Sequence, residues 1–282
     1  MKTLREYLDW AEKEGKALGH FNISDSEGFK AVTETAKELN VPVIIGVSEG
    51  EREFLGPKET RALVESAQSE GLPVFLNADH TYSFEKIKEA IEAGFDSVIT
   101  DHADKPFVEN ISKTKEIVDF VRSVKPEVLV EAEIGFIGQS SKVLETLPTG
   151  VSDTTQTRPD EALRFVEETG IDLLAPSVGN VHGMVKTGNP KLNINLIKEI
   201  KSAVKVPLVL HGGSGISEED FIKAMSAGIS LVHINTELRL AYKEGIEEGL
   251  KSDEVAPYKF MAEGVEEMKK VVSKYLKLFN RL

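Results

Sequence analysis

The sequence of 282 residues contains no cysteine, which excludes several kinds of chemistry at once. Disulfide bonds, zinc sites built from thiolates and cysteine nucleophiles all require this residue. A metal site in this chain must therefore use His, Asp or Glu side chains. Six histidines are present, so the position of each one is informative.

Positive charge is also scarce, with 34 Lys and Arg residues against 47 Asp and Glu residues and a formal net charge of −13. Such a surface repels nucleic acids and anionic membranes, so we expect neither as a partner. An anionic substrate would need a local positive feature, such as a metal ion or a helix N-terminus.

Long hydrophobic runs are missing as well. No stretch reaches the roughly 18 uninterrupted apolar residues that a membrane-spanning helix needs. The segment Met1–Trp10 contains four charged residues and therefore lacks the apolar region of a signal peptide. We predict a soluble, cytoplasmic protein.

Short apolar runs alternate with charged, amphipathic segments along the chain, and each run is bounded by Gly, Pro, Asp or Asn. Nearly continuous apolar runs of this length are typical of strands buried on both faces of a parallel sheet. We predict eight strands at Leu18–Asn22, Pro42–Ser48, Pro73–His80, Ser97–His102, Val128–Gly135, Asp172–Gly179, Pro207–Gly213 and Leu231–Asn235.

The regular strand–helix alternation predicts one α/β domain spanning residues 1–282. Eight repeats favour a closed (β/α)8 barrel over an open doubly wound sheet, with extra helices in Glu237–Leu282. Two long intervals interrupt the repeats. We expect Phe136–Pro159 to form a mobile loop after the fifth strand and Val181–Asn193 to form a loop after the sixth.

Five of the six histidines lie at or just beyond predicted strand ends, namely His80, His102, His182, His211 and His233. The C-terminal ends of barrel strands converge, so residues far apart in sequence meet there. Three neutral imidazoles at this place would make a catalytic zinc site with an open position. A single histidine at a strand end is more often a structural hydrogen-bonding group, and that alternative applies to each one taken alone.

A glycine-rich stretch, His211–Gly215, follows the predicted seventh strand, and Ser217 begins a helix after it. Backbone N–H groups in such a turn can bind a phosphate group, although an ordinary strand–helix turn has the same composition. Asn235 and Thr236 add a second set of donors at the next strand end. Barrel enzymes commonly bind phosphate with these two loops, so the sequence predicts a phosphate site here.

Several of these stretches resemble the class II, metal-dependent ketose-bisphosphate aldolases. The resemblance covers most of the chain, and its most specific parts are Asp79-His80, Val130–Gly135, Leu174–Gly183 and Leu208–Gly215. It implies aldol cleavage of a ketose phosphate into dihydroxyacetone phosphate and an aldehyde. Negative charge then develops on a carbonyl oxygen, where zinc acts as a Lewis acid.

The resemblance also implies a role for particular residues at the metal. The implied zinc ligands are His80, His182 and His211. Asp79 matches the general base that takes the proton of the C4 hydroxyl. Asp101 and Glu133 match residues beside the metal that can hold a second or displaced divalent cation.

A further set of residues is implied to bind the substrate. The segments that match the site of the first phosphate, together with a monovalent cation, contain Gly183, Gly212, Gly213, Ser214, Asn235 and Thr236. Asn22 and Ser48 complete the expected substrate contacts near the first two strands.

Three positions depart from the family pattern. A Gly-Gly-x-Glu-Asp run reads Gly138–Lys142 here without its acids, for which Glu145 or Asp153 could substitute. His233 replaces the usual Asn and could hydrogen-bond the enediolate oxygens or bind metal. A Tyr-Asp-Pro-Arg motif, whose arginine binds the distal phosphate, reads Ala256–Lys259, where Lys259 would act as a point charge.

We predict a zinc-dependent aldolase for fructose 1,6-bisphosphate that assembles, as the resemblance implies, into a homodimer or homotetramer. The departures leave two alternatives open. One is an aldolase for another ketose phosphate, such as tagatose bisphosphate or a substrate without the distal phosphate. The other is a non-catalytic protein that binds metal and sugar phosphate.

Overall fold

The structure is a computed structural model that describes residues 2–138, 142–146, 155–186 and 190–282. The strands in these ranges are β1 (Leu18–Asn22), β2 (Val43–Val47), β3 (Val74–Thr81), β4 (Ser97–Thr100), β5 (Leu129–Ile134), β6 (Val143–Leu144), β7 (Leu173–Pro176), β8 (Met184–Val185), β9 (Leu208–Leu210) and β10 (Ile229–Ile234).

The helices of the same ranges surround the strands or follow them. They are α1 (Leu4–Glu14), α2 (Ser26–Leu39), α3 (Glu49–Leu55), α4 (Pro57–Ser69), α5 (Phe84–Ala93), α6 (Phe107–Val124), α7 (Pro159–Thr169), α8 (Ile194–Ala203), α9 (Glu218–Ala227), α10 (Thr236–Gly249), α11 (Pro257–Phe260) and α12 (Ala262–Asn280). Among the described residues, no helix has the combination of length and hydropathy that a membrane span needs.

Eight parallel strands close into a barrel in the order β1-β10-β9-β7-β5-β4-β3-β2, which confirms the predicted (β/α)8 fold. Each of the eight predicted apolar runs contains most or all of one barrel strand. The barrel closes where β1 pairs with β10, in a register that places His20 beside His233. Because helices cover the outside, nearly every strand residue is buried.

The N-terminal end of the barrel is closed by α1. Leu4, Leu8 and Ala11 of this helix form a separate apolar cluster with the first inward-facing residue of most strands. Asp172, just before β7, connects α1 and α6 at this end, because it accepts hydrogen bonds from Arg5 on α1 and Arg122 on α6. The N-terminal end of the barrel is thus filled by apolar side chains, and the polar residues of the interior lie at the opposite, C-terminal end.

The two predicted loops after the fifth and sixth strands contain a short element that the sequence did not indicate. Val143–Leu144 pairs in parallel with Met184–Val185, so the two loops are joined by a small two-stranded sheet. Glu145 and Lys186 continue this connection with an ion pair of 2.6 Å. Asp153 and the segment 139–141 lie outside the described residues, and so does much of the loop predicted to be mobile.

Candidate metal and substrate site

Polar residues fill the interior of the barrel above the apolar layer. Side chains of a strand alternate between its two faces, so positions two apart share the inner face. On β5 this rule places Glu131 and Glu133 inside, above Leu129, and on β3 it places Asp79 inside, above Phe75. These polar positions lie towards the C-terminal strand ends, where barrel enzymes have their active sites.

Three histidines from separate segments meet at this end of the barrel, His80 from the end of β3 and the other two, His182 and His211, from the loops after β7 and β9. The ring centroids of His80 and His182 are 4.8 Å apart, those of His80 and His211 are 5.1 Å apart, and those of His182 and His211 are 5.5 Å apart. Together with Glu133, each offers a ligand atom, and these four atoms all lie within 4.8 Å of one another. The structure therefore brings together the three residues expected to bind metal.

Unusual backbone geometry makes this convergence possible. His80 has a positive φ of 31°, and the pairing of β3 with β4 changes register between Ala78 and Thr81. Gly212 has a φ of 61°, and a Cβ atom there would lie 2.2 Å from the carbonyl oxygen of Val181. Glycine at 212 thus lets the loop that carries His182 pack directly against the loop that carries His211.

Each of the three histidines has one ring nitrogen in contact with an oxygen atom of a neighbouring residue. The Nδ1 atom of His80 lies 2.8 Å from Asp101 Oδ2, and the Nδ1 atom of His182 lies 2.6 Å from the carbonyl oxygen of Gly138. The Nε2 atom of His211 lies 2.6 Å from Glu131 Oε1. Metal-binding histidines are typically oriented by such contacts, which leave the other nitrogen free to bind the ion.

The remaining atoms fit a divalent cation. His211 Nδ1 and Glu133 Oε2 are buried without a hydrogen-bond partner, and they lie 3.1 Å from each other. Glu133 Oε2 also lies 4.0 Å from His182 Nε2. Imidazole nitrogens with a nearby carboxylate are the ligands that zinc prefers. A buried, unpartnered set of this composition has the donors that such an ion requires.

The pKa values of two of the three histidines, His80 and His211, show how negative their surroundings are, whereas burial lowers the pKa of His182 to about 4. Burial lowers the pKa of His80, but Asp79 and the contact with Asp101 outweigh burial and raise it to about 9. Burial also lowers the pKa of His211, but the neighbouring carboxylates of Glu131 and Glu133 outweigh burial and raise this pKa well above the usual value. Surroundings that favour a proton this strongly also favour a cation.

Asp79 lies beside the three histidines with one oxygen held and the other unpartnered. Its Oδ2 accepts a hydrogen bond of 2.8 Å from Asn22 Nδ2, whereas its buried Oδ1 has no partner among the described residues. Burial raises the pKa of Asp79, but His80, His233 and His20 together hold it well below the usual value. An ionised carboxylate that lines a cavity can accept a proton from a bound ligand.

One cavity at the C-terminal strand ends contains most of the residues predicted for the site. The predicted residues that line it are Asn22, Ser48, Asp79, His80, Asp101, His182, Gly183, Gly212, Gly213, Ser214, His233, Asn235 and Thr236. Glu133 and His211 are buried next to these residues. Asn235 Oδ1 is a buried atom without a partner, at the point where α10 begins.

Comparison with known proteins decides the family. The sequence profile of the class-II fructose-bisphosphate aldolase family matches residues 2–281. A fructose-bisphosphate aldolase of Staphylococcus aureus is 37% identical over 98% of this chain and 96% of its own length. The chain belongs to the class-II fructose-bisphosphate aldolase family. Membership implies a divalent metal ion and a sugar phosphate substrate.

Solved structures support the same assignment. The crystal structure of the YdjI aldolase from Escherichia coli K12 matches with a TM-score of 0.85 and 34% identity, over 98% of this chain and 96% of that one. The fructose-bisphosphate aldolase of Campylobacter jejuni matches with a TM-score of 0.83 and 27% identity, over 98% and 94% of the two chains. This protein is thus an aldolase by sequence and by fold.

The interior of the barrel also contains a stacked histidine pair, and only His233 of this pair was predicted to belong to the site. The rings of His20 and His233 lie 3.7 Å apart and almost parallel, at 7°. Burial lowers the pKa of His233 well below its usual value, and the neighbouring His20 and His211 lower it further. His20 fits because residue 46 is glycine, since a Cβ atom there would lie 2.0 Å from the imidazole.

Glu51 and Arg239 belong to the site but were missed in the sequence. Glu51 is buried and accepts hydrogen bonds from Asn22 at 2.9 Å, from the hydroxyl of Ser48 at 2.9 Å and from Arg239 at 2.5 Å. Ser48 and Glu51 are spaced as a capping box at the start of α3, which is the signal that could have drawn attention to them. Arg239 lines the cavity, and so does Tyr82.

Two predicted positions lie elsewhere. Lys259, in α11, is outside the cavity, and its Nζ atom lies 2.7 Å from Glu254 Oε2. His102 follows the fourth barrel strand, as expected, but does not line the cavity. Neither residue joins the cluster around His80.

Proposed function

We propose that this protein is a zinc-dependent aldolase that cleaves fructose 1,6-bisphosphate into dihydroxyacetone phosphate and glyceraldehyde 3-phosphate. The observation that carries the proposal is the convergence of His80, His182 and His211 beside the unpartnered carboxylate oxygen of Asp79. This arrangement occurs in a chain whose family and fold are those of class II aldolases.

The three histidines would hold the zinc ion, and the other residues of the cluster would orient them. Asp101, Glu131 and the carbonyl oxygen of Gly138 each contact the ring nitrogen that faces away from the cluster. When bound, zinc supplies a Lewis acid that stabilises negative charge on the substrate carbonyl oxygen. Asp101 and Glu133 are also the groups that would hold a second or displaced divalent cation.

Asp79 would act as the general base during cleavage. Its Oδ1 atom would accept the proton of the C4 hydroxyl as the C3–C4 bond breaks and the C4 hydroxyl becomes an aldehyde. Asn22 holds the other carboxylate oxygen and so fixes the direction of the free one. No lysine lines the cavity within the described ranges, which suits a mechanism without a Schiff base.

The glycine-rich segments would bind the phosphate on C1. Gly183, Gly212, Gly213 and Ser214 line one side of the cavity, and the N-terminus of α10 lies there as well. Backbone N–H groups and the helix dipole are suited to a phosphate group. Asn235 and Thr236 stand at the start of this helix, and their oxygen atoms would bind the monovalent cation.

His233 would hydrogen-bond the oxygens of the substrate during the reaction. It lines the cavity, and its Nε2 atom is buried without a partner. Its ring is nearly parallel to that of His20, so the nitrogen lone pairs of the two rings lie in separate planes. This geometry favours hydrogen bonding by His233 over a metal ion shared between the two histidines.

The proposal extends to the organisation of the protein. We infer that residues 1–282 form one domain, that the chain assembles into a homodimer or homotetramer, and that it works in the cytoplasm. Light scattering of the purified protein would measure the subunit number directly.

The direct test is a coupled assay for triose phosphates with fructose 1,6-bisphosphate as substrate. Activity should disappear after treatment with a chelator and return when zinc is restored. A folded, zinc-loaded sample that forms no triose phosphate would contradict the proposed function. Activity that is unaffected by complete removal of divalent ions would contradict the metal-dependent mechanism.

A further inference from the structure

The cavity of this aldolase has a single Lys or Arg side chain among the described residues that line it. That side chain is Arg239, whereas Asp79 and Asp101 line the same cavity and Glu51 and Glu133 lie just behind it. A bisphosphate substrate brings two strongly anionic groups into this acidic place. Backbone donors account for one phosphate, and the second has no comparable set of glycines in the cavity.

Arg239 is held in a defined position. It lies one helical turn after Thr236 on α10, and its Nη2 atom donates a hydrogen bond of 2.5 Å to Glu51 Oε1. The side chain of Glu51 is 7% exposed, whereas that of Arg239 is 41% exposed. A guanidinium group has five N–H donors in a planar fork, so the contact with Glu51 leaves others for an anion.

A chain of hydrogen bonds shows on which side of the cavity the guanidinium of Arg239 is anchored. Asn22 Nδ2 bridges Asp79 Oδ2, at 2.8 Å, and Glu51 Oε2, at 2.9 Å, and Glu51 in turn contacts Arg239. The guanidinium is therefore anchored on the side of the cavity formed by the ends of β1 and β2. The glycine-rich loops follow β7 and β9, and α10 begins beside them because β10 lies between β9 and β1 in the barrel. One turn further along α10, the contact with Glu51 directs the guanidinium of Arg239 to the side of β1 and β2.

The proposed chemistry assigns the substrate carbons to these two sides. If Asp79 takes the proton of the C4 hydroxyl, the atoms beyond C4 extend away from the glycine-rich loops and towards Asn22 and Glu51. An arginine at that place is suited to bind a phosphate with two parallel hydrogen bonds.

We infer that Arg239 binds the phosphate on the aldehyde half of the substrate, and so determines the preference for a bisphosphate. The inference rests on the proposed function. Glu51 is a positioning residue that holds the guanidinium and, through Asn22, the carboxylate of Asp79. Arg239 thereby performs the task that the arginine missing from Ala256–Lys259 would have performed, with a residue of the same subunit.

The test compares fructose 1,6-bisphosphate with fructose 1-phosphate, which lacks the distal phosphate. The Arg239→Ala change should lower kcat/KM for the bisphosphate by about 30- to 100-fold and change kcat/KM for fructose 1-phosphate by less than about threefold. Arg239→Lys should recover part of the loss. The ratio of the two values for one sample is independent of the fraction of protein that is folded.

Lys243→Ala is the matched control, because Lys243 lies one turn further along α10 and its side chain is 72% exposed. Arg239→Ala with an unchanged substrate ratio would overturn the inference. Equal losses with both substrates would also overturn it, because they would place Arg239 at the first phosphate. Loss of the preference in Lys259→Ala instead would assign the distal phosphate to Lys259.

Equilibrium binding separates this inference from the proposed function. Calorimetry in an Asp79→Asn background gives the Kd of each ligand without turnover. The ratio of the Kd for fructose 1-phosphate to the Kd for fructose 1,6-bisphosphate should fall by about 30- to 100-fold when Arg239 is changed to Ala. A wild-type enzyme that binds fructose 1,6-bisphosphate without cleaving it would contradict the proposed function alone. A binding ratio that Arg239→Ala leaves unchanged would contradict the role of Arg239 alone.

Discussion

Asp79 and His80 are neighbours in the sequence but have different proposed roles, the first as general base and the second as metal ligand. The ring of His80 lies beside those of the other two histidines, while Asp79 lines the cavity and has one oxygen without a partner among the described residues. Successive side chains of a regular strand point to opposite faces, and the positive φ of His80 lets this residue reach the cavity beside Asp79. A general base in this position acts on the substrate without being one of the three proposed metal ligands.

Replacing Asp79 with Asn should therefore abolish proton transfer but preserve the metal site. We expect kcat to fall by about 10²- to 10⁴-fold, which is the usual contribution of a positioned general base. Zinc content, measured by atomic absorption, should remain equal to that of the wild type. Near-normal cleavage by this variant would exclude Asp79 as the base.

Replacing Asp101 with Asn should have the opposite pattern. Asp101 lies 2.8 Å from the Nδ1 atom of His80 and so orients a proposed ligand without being the base. Loss of such a contact typically weakens metal binding by about 10- to 100-fold. Activity should be low at limiting zinc and recover in excess zinc, whereas the Asp79 variant should not recover. A defect that is independent of zinc concentration would contradict this role.

The contact between His20 and Gly46 should be visible in stability. A Cβ atom at residue 46 would overlap the imidazole of His20, so Gly46→Ala should lower the free energy of unfolding by about 1–3 kcal/mol. His20→Ala in the same chain should remove much of that cost, a coupling that a double-mutant cycle in urea would measure. Gly50→Ala is the control, since a Cβ atom there contacts nothing within 4 Å.

At the residue scale the sequence predicted the histidines better than the charged groups. His80 stands at a strand end, and His182 and His211 stand in the loops that follow strands, so the fold class is enough to bring them to the same end of the barrel. Glu51 and Arg239 stand in charged helical segments, which are usually exposed to solvent. Their ion pair depends on how α3 and α10 approach each other, and no local pattern records that approach.

At the scale of elements, the two ends of the barrel have separate roles. Helix α1 closes the N-terminal end with apolar side chains, whereas the loops at the C-terminal end carry the polar cavity. In barrel enzymes the first end contributes stability and the second contributes chemistry. The two properties should therefore be separable by mutation.

Leu8→Ala in α1 should lower stability and leave catalysis intact. Leu8 is fully buried in the apolar cluster of the N-terminal end, so we expect a loss of about 2–5 kcal/mol in the free energy of unfolding. The kcat of the folded protein should stay within about twofold of the wild type. Leu250→Ala, at an exposed leucine, should change neither quantity. A large fall in kcat for Leu8→Ala would show that the two ends are coupled.

The elements themselves were predicted with uneven success, for a physical reason. Strands buried on both faces are marked by continuous apolar runs, and all eight were found. The pair of β6 and β8 has two residues in each strand, and their side chains are only partly buried or exposed. Such a short pairing leaves no periodic pattern in the sequence.

At the scale of the whole molecule, the net charge of −13 and the acidic interior both favour the binding of a cation. The barrel brings Asp79, Asp101, Glu131 and Glu133 close together, and mutual repulsion would make this costly without positive charge among them. Protonated histidines can provide this positive charge, and so can a bound divalent ion.

The central claim is that three particular nitrogen atoms bind the metal. Anomalous diffraction at the zinc edge, from crystals of the zinc-reconstituted protein, tests it most directly. The account predicts a peak about 2.0–2.1 Å from His80 Nε2, His182 Nε2 and His211 Nδ1. A peak between His20 and His233, or full occupancy at a place without contact to these three nitrogens, would contradict it.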